Sequence, residues 1–382
     1  MLRVKQTCSI LSTYTADVSG VASALYEMGG MTVMHDASGC NSTYNTHDEP
    51  RWYDMPSMIF ISALAEVDAL MGDDEKVVAD VCRTAQELSP RFIALAGTPI
   101  PMMMGTDFRA LSRMIEERTG IPTFGFATNG MNSYNRGAGI ALAAVAERFC
   151  RPAAKKAGGQ GGKPSVNLLG VTPLDFSVTG NVEALKKLFN DAGYPVVSCW
   201  AMGSSWEELM RAPEAEVNIT VSSCGEALAR VLRDRFGIPS VTGLPVGRKL
   251  TEELFALTEK AAAEGKDFML SGPSPCEKPE VWAVGEAVQS AAIAAALEKD
   301  FGIKKAASLS PLDFPDEDLV FESLRGASLV VADPLYRPAV REAGCRFIEL
   351  PHEGYSGRIF RDKIPVFIGE NFDKWMEGEL SK

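Results

Sequence analysis

Short runs of apolar and β-branched residues alternate along this chain with longer segments whose apolar positions recur at helical spacing. In the first part of the chain, the runs at 57–62, 92–97 and 123–126 predict buried strands. The segments that follow them predict amphipathic helices, which span 73–88, 107–119 and 137–149. Strands that alternate with helices of this length are typical of βαβ units, in which the sheet is mainly parallel.

The same alternation resumes twice later in the chain, and it includes a predicted helix at 226–236. A basic, glycine-rich stretch at 151–164 interrupts it first, and we interpret this stretch as a linker. We therefore predict an N-terminal α/β domain at 1–150, a second at 165–266 and a third at 267–382, which opens with a strand at 267–272. The expected fold class is α/β, with three Rossmann-like, doubly wound domains and mainly parallel sheets around a central cleft.

Composition and charge narrow the classes of function. A chain of 382 residues with 46% hydrophobic and 23% charged residues is typical of a soluble protein of two or three domains. A net charge of −12 argues against nucleic acid or an anionic membrane as a standing partner. No apolar run is long enough to cross a bilayer, and the first residues lack the apolar region of a signal peptide. We expect a cytoplasmic protein.

The eight cysteines are scattered and contain no C-x-x-C pair. Their spacing does not match a disulfide framework, a zinc finger or a ferredoxin. Any metal site must therefore be assembled from distant loops or from two subunits. The sequence also lacks the Gly-x-x-x-x-Gly-Lys-Ser/Thr loop, so we do not expect nucleotide hydrolysis on this chain.

Cys40 is the first candidate for chemistry, because it lies in a polar loop of small residues that follows an apolar strand. Parallel sheets present their functional groups at the carboxyl ends of their strands. A single thiol cannot hold an iron–sulfur cluster, which needs about four ligands. A homodimer would supply each loop twice, and Cys8, Asp17 and Asp36 are further candidate ligands. The alternative is that Cys40 only fills a turn.

Two later residues also follow predicted strands. Cys224 lies between a strand and a helix, where the helix N-terminus favours the thiolate, or where the residue simply fills a tight turn. His352 lies in a small-residue loop, where it can be a metal ligand, a proton donor or a cap. The methionine-rich segment 99–105 is predicted to be a loop that forms a flexible apolar pocket or an interface.

Several segments of the chain carry a joint resemblance. Residues 19–25 with 38–40 look like a segment that ends in a glycine–cysteine cluster loop, and 61–73 is an acidic segment that ends near a glycine. The stretches 94–107 and 236–247 give further matches. Together they resemble the nitrogenase component 1 family, which includes the nitrogenase MoFe protein, dark-operative protochlorophyllide reductase and the reductive cyclase of coenzyme F430 synthesis.

The resemblance implies the catalytic subunit of a two-component, ATP-dependent reductase. An ATP-hydrolysing iron–sulfur reductase, a NifH-like Fe protein, would deliver low-potential electrons. The chain would pair as a homodimer or with a paralogous subunit. Cys40 falls on the family's middle cluster cysteine, whereas the region of Asp17 stands near the first and Pro99 stands at the third. The resemblance therefore implies a smaller cluster, a [4Fe-4S] centre shared across a subunit interface, in which Cys40 is joined by Asp17 or Cys8. Residues 1–150 would then be the cluster-binding domain.

The resemblance extends to the predicted cleft. His352 with 355–357 looks like the family's loop whose histidine binds a cofactor, and Cys224 lies near the family's cofactor cysteine. These residues are expected to bind a second metallocofactor or a tetrapyrrole, and His352 is the expected catalytic proton donor. Two alternatives stay open: a non-catalytic scaffold or carrier for metallocofactor assembly, and a cluster-free module that binds a small molecule or tetrapyrrole.

Overall fold

The computed structural model describes residues 10–11, 13–44, 48–72, 74–154, 162–312, 316–340 and 344–382, without the side chain of Cys40. In this described part the strands form three sheets, two of four strands and one of five. Every pairing between their strands is parallel. The predicted fold class is confirmed.

The first sheet has the strand order β2-β1-β3-β4. Its strands are β1 (Met31–His35), β2 (Ile59–Ile61), β3 (Ile93–Gly97) and β4 (Thr123–Phe126). The helices of this region are α1 (Asp17–Leu25), α2 (Gly39–Thr43), α3 (Glu66–Met71), α4 (Asp74–Leu88), α5 (Pro99–Met104), α6 (Phe108–Thr119) and α7 (Tyr134–Phe149). The loops expected around Cys40 and at 99–105 thus contain the short helices α2 and α5, which corrects the prediction.

Helices α1 and α7 pack unusually close together. All nine residues of α1 are buried. A Cβ atom on Gly20 would lie 1.9 Å from the carbonyl oxygen of Tyr134, and one on Gly137 would lie 1.8 Å from the carbonyl oxygen of Asp17. Only glycine allows the two backbones to approach this closely. Tyr134 and Asp17 are therefore held at a fixed separation across the helix pair.

The second sheet has the order β6-β5-β7-β8-β9. Its strands are β5 (Val166–Leu169), β6 (Val196–Cys199), β7 (Val217–Thr220), β8 (Ser240–Thr242) and β9 (Phe268–Met269). Its helices are α8 (Pro173–Phe176), α9 (Asn181–Asp191), α10 (Trp206–Met210), α11 (Glu226–Phe236) and α12 (Gly247–Glu264). The strand expected at 267–272 is β9, and it pairs with β8. It therefore closes the second sheet instead of opening the third, which corrects its assignment.

The third sheet has the order β11-β10-β12-β13. Its strands are β10 (Val281–Val284), β11 (Ala306–Leu309), β12 (Leu329–Ala332) and β13 (Arg346–Glu349). Its helices are α13 (Ala287–Lys299), α14 (Glu317–Ser323), α15 (Glu353–Ser356) and α16 (Glu370–Ser381). Among the described residues, no helix is both long enough and apolar enough to cross a membrane.

The three regions share their apolar cores. One continuous core joins the second and third sheets, and another joins the first sheet to helices of the second region. The segment before α1 packs on the third region, because the amides of Ile10 and Leu11 donate to Glu317. The Thr15 side chain donates to the carbonyl oxygen of Gly354 at 2.7 Å. The chain therefore folds into one body with three sheets.

Candidate functional site

Each sheet has one point at which the strand order reverses, and such points form crevices at the carboxyl ends of strands. The order reverses between β1 and β3, between β5 and β7, and between β10 and β12. Asp175 and Cys224 follow β5 and β7, and Glu286 follows β10. His352 follows β13, and Tyr134 follows β4. These five residues, here named the Asp175 cluster, are buried together where the three regions meet.

Asp175 lies at the centre of this cluster. Its Oδ1 accepts a hydrogen bond from the Tyr134 hydroxyl at 2.5 Å. Its Oδ2 accepts from the Thr172 hydroxyl at 2.7 Å and from the Cys224 thiol at 3.3 Å. The His352 Nε2 atom lies 3.5 Å from Oδ1. The structure thus brings Cys224 and His352, the two residues expected in the cleft, to one carboxylate.

These contacts set the charge of the cluster. Burial raises the pKa of Asp175, but the interaction with His352 and the hydrogen bonds from Tyr134 and Thr172 outweigh it and hold this pKa below its usual value. Burial is the main reason why the pKa of the Cys224 thiol is raised well above its usual value, and the negative charge of Asp175 raises it further. Asp175 is therefore the anion of the cluster, and Cys224 is a neutral thiol that donates to it. The thiolate expected at this helix N-terminus is not favoured here.

His352 is held by backbone contacts at its other edge. Its Nδ1 atom accepts from the amide of Gly354 at 3.1 Å, and its own amide donates to Asp333 at 2.7 Å. Since Nδ1 is an acceptor, the neutral imidazole carries its hydrogen on Nε2, on the side of Asp175. Nε2 is buried and has no hydrogen-bond partner among the described residues. The N–H group of His352 is thus turned towards the Asp175 carboxylate.

Glu286 is a functional candidate that the sequence analysis missed. Its Oε1 accepts from the amide of Ser223 at 2.8 Å, and its Oε2 accepts from the amide of Gln289 at 2.9 Å. It therefore caps α13 and joins the second region to the third. The pKa of Glu286 is raised to about 7, mainly by burial and also by the negative charge of Asp175. The sequence feature that could have identified Glu286 is an acidic residue between a predicted strand and an apolar helix.

The cluster does not form a ready metal site. An imidazole, a thiol and a carboxylate can each bind a metal, but here they contact one another: the Cys224 thiol donates to Asp175, and the His352 Nε2 atom lies 3.5 Å from it. Among the described residues, no three His, Cys, Asp or Glu side chains are grouped so that they could hold a metal ion. These residues therefore fit a proton-donating site better than a second metallocofactor.

The surroundings of Cys40 are built differently. Cys40 belongs to α2, next to the point where the first sheet reverses its order. Asp36 fixes this edge, because its Oδ2 accepts from Asn41 at 2.5 Å and its Oδ1 accepts from Thr98 at 3.1 Å. These bonds tie the start of α2 to the start of α5.

An apolar surface lies beside α2. Helix α3 has no buried residue and contacts α5. Seven exposed apolar side chains of this edge form what we name the carboxyl-edge patch: Val67, Leu70, Met71, Ile100, Met102, Met103 and Met131. Exposed apolar side chains that gather at one edge can mark an interaction surface. The methionine-rich segment therefore faces outward, as an interface would require.

Two further residues, Asp17 and Cys8, are predicted as ligands of the cluster. Asp17 is 1% exposed, and its carboxylate accepts from the amides of Val18, Asn129 and Gly130 and from the side chain of Asn132. These bonds anchor the loop after β4 to α1, and metal binding by Asp17 stays a prediction. Cys8 lies outside the described residues.

The sequence of this chain is similar to a known family and to several known proteins. Residues 18–307 match the family model described as nitrogenase component 1 type oxidoreductase. A subunit of light-independent protochlorophyllide reductase from Prosthecochloris aestuarii is 35% identical over 107 residues, 27% of this chain and 20% of that protein. The protein of the same name from Pelodictyon phaeoclathratiforme is 27% identical over 198 residues, 50% of this chain and 35% of that protein.

A second kind of relative is also matched. The nitrogenase iron-molybdenum cofactor biosynthesis protein NifE of Clostridium pasteurianum is 27% identical over 189 residues, 48% of this chain and 38% of that protein. The chain thus spans well under half the length of these curated relatives. The solved structure titled "Nitrogenase Cp1 at pH 6.5" has a TM-score of 0.70 at 15% identity, over 100% of this chain and 94% of that one. That likeness is one of fold.

Proposed function

The chain belongs to the nitrogenase component 1 type oxidoreductase family, and on that premise we propose that it is the catalytic subunit of a two-component reductase. An ATP-hydrolysing iron–sulfur protein, a NifH-like Fe protein, would supply low-potential electrons. This chain would pass them to a substrate bound near the Asp175 cluster. The proposed setting is the cytoplasm, where the partner has access to ATP.

The observation that carries the proposal is the Asp175 cluster. Reduction of an organic substrate consumes protons as well as electrons. The cluster holds several: on the hydroxyl of Tyr134, on the thiol of Cys224, on Nε2 of His352 and, below about pH 7, on Glu286. We propose His352 as the proton donor, because imidazole is the side chain that most often transfers protons in enzymes. Asp175 would stabilise the imidazolium when the ring is protonated again.

Electrons would arrive at the other site. We propose that Cys40 helps to hold an iron–sulfur cluster, a [4Fe-4S] centre whose remaining ligands come from a second subunit, with Asp17 and Cys8 as further candidates. When bound, such a cluster supplies one-electron transfer. The carboxyl-edge patch beside α2 supports a partner at this edge, whether a second copy of the chain or a paralogous subunit. A partner that covers the patch would bring its own loop towards Cys40.

Iron and sulfide content of the anaerobically purified protein tests this part of the proposal. We expect Cys40→Ala to lose its iron. Cys276→Ala is the matched control, since Cys276 is a partly exposed thiol outside the first sheet region, and it should retain its iron. Size-exclusion chromatography should show that both variants remain folded. Equal iron in the wild type and Cys40→Ala would refute the role of Cys40.

A non-catalytic scaffold or carrier for a metallocofactor is the second candidate. The match to NifE over 48% of this chain favours it. Mixing the protein with a candidate Fe protein and ATP separates the two functions. A catalytic subunit should show ATP-dependent oxidation and reduction of its cluster, and His352→Gln should slow turnover while it keeps its iron. A scaffold should show neither effect, and a cluster-free binding module would contain no iron at all.

A further inference from the structure

A cleft opens at the surface directly beside the Asp175 cluster. It has a volume of about 370 Å³. At three places, a residue that lines the cleft is the direct neighbour in sequence of a residue of the Asp175 cluster. The pairs of wall and cluster residues are Ser133 and Asn135 with Tyr134, Ser223 with Cys224, and Ala287 with Glu286. The cleft therefore adjoins the cluster at three places along the chain.

The wall of this cleft is polar and basic. Arg136 and Arg230 are exposed in it, and Glu226 is the one acidic side chain among the described residues that line it. The Asn135 side chain donates to the hydroxyl of Ser223 at 3.0 Å, which joins the first and second regions across the floor. Two guanidinium groups against one carboxylate favour an anionic ligand, because arginine pairs well with planar oxyanions.

A second, apolar cleft continues the first. The two share Glu226 and Ala287 in their walls, and the second has a volume of about 200 Å³. Most of its wall is apolar and comes from α13 and the ends of β8 and β9. These residues are Gly243, Met269, Leu270, Val288, Ala291 and Ala292. Together the two clefts reach a volume that is typical of sites for small molecules.

We propose that the joined cleft binds an amphipathic organic anion. Its carboxylate or other oxyanion would pair with Arg136 and Arg230, and its apolar body would lie along α13 towards Met269. The junction at Ala287 places the middle of such a molecule next to Glu286. That this anion is the substrate rests on the proposed function, whereas its binding does not.

Two fluorescent probes test the binding. They are 8-anilinonaphthalene-1-sulfonate and N-phenyl-1-naphthylamine, which share one ring system and differ by the sulfonate. We expect one site per chain, and about tenfold tighter binding of the sulfonate probe, the effect of a charge-assisted contact. Arg230→Gln should reduce the affinity for the sulfonate probe severalfold and leave the affinity for the neutral probe unchanged. Ala291→Phe should weaken both at least tenfold by filling the apolar cleft.

Arg113→Gln is the matched control, because Arg113 is an exposed arginine on α6, away from the cleft. It should bind both probes like the wild type, and near-UV circular dichroism should show that every variant is folded. Wild-type affinity in Ala291→Phe would overturn the site. Sulfonate binding that is unaffected by Arg230→Gln would overturn the anionic class. Neither probe requires iron or ATP, so retention of iron by Cys40→Ala would refute the electron-transfer role without touching this result.

Discussion

The protonation of Glu286 should be visible in the stability of the protein. Burial, and next the charge of Asp175, raise its pKa from 4.5 to about 7. In the unfolded chain the carboxyl ionises near its usual value, so the folded protein holds one more proton between about pH 4.5 and 7. The contribution of Glu286 to the free energy of unfolding must therefore fall as the pH rises through this interval.

Replacing Glu286 with glutamine removes this titration. A pKa that moves from 4.5 to about 7 on folding corresponds to on the order of 3 kcal/mol. Most of this should be lost between pH 5 and pH 8. At pH 5 we expect the variant to be about 1–2 kcal/mol less stable than the wild type, because an amide can accept from only one of the two backbone amides that Glu286 caps. At pH 8 the order should reverse.

Urea unfolding at pH 5, 6, 7 and 8, followed by tryptophan fluorescence, measures the difference between the two proteins. Other titrating groups are common to both and largely cancel. Glu253→Gln is the control. Burial, which raises the pKa of Glu253, is outweighed by hydrogen bonds from Lys299 and Ser271, so its pKa is lowered. Its contribution to stability is lost only below about pH 4.5, and its difference should stay constant from pH 5 to 8. A constant difference for Glu286→Gln as well would refute the reasoning.

Further outcomes follow from single contacts, and urea midpoints measure each of them. Tyr134→Phe should cost about 2–3 kcal/mol, because Asp175 loses a buried charge-assisted hydrogen bond. Tyr26→Phe removes a hydrogen bond between two neutral groups, the Tyr26 hydroxyl and the carbonyl of Met55, and should cost about 1 kcal/mol. Equal losses of stability in the two variants would argue against an ionised Asp175. Gly20→Ala should cost several kcal/mol, because its Cβ would lie 1.9 Å from the Tyr134 carbonyl oxygen. Gly378→Ala, with no atom within 4 Å of the new Cβ, should instead add about 0.5–1 kcal/mol, and a tolerated Gly20→Ala would contradict the close packing of α1 on α7.

Elements with a clear apolar pattern could be predicted from the sequence almost residue by residue. The strand at 123–126 and the helix at 226–236 have the predicted limits. Helix α1 escaped prediction for a physical reason. All nine of its residues are buried, among them Ser19, Ser23 and Asp17, so it has no polar face and no helical alternation. A helix enclosed on every side carries no periodic signal.

The candidate site was predictable only in part. His352 and Cys224 were found because each follows a strand in sequence. Their common partner was missed, since Cys224 and Asp175 are 49 positions apart and Tyr134 and Asp175 are 41 apart. Which strand ends meet depends on the order of strands in each sheet, and packing decides that order. The assignment of the strand at 267–272 to the third sheet was wrong for the same reason.

The contact between the segment before α1 and the third region has a consequence for biosynthesis. Leu11 is buried among residues of the third region, and Thr15 donates to Gly354, 339 positions further along the chain. At about 5–20 residues per second, a ribosome needs roughly 17–70 s to make that interval. Throughout this time the contacts that Leu11 and Thr15 make with the third region cannot form. The first region can therefore fold early, but its leading segment gains its contacts with the third region only after Gly354 has been made.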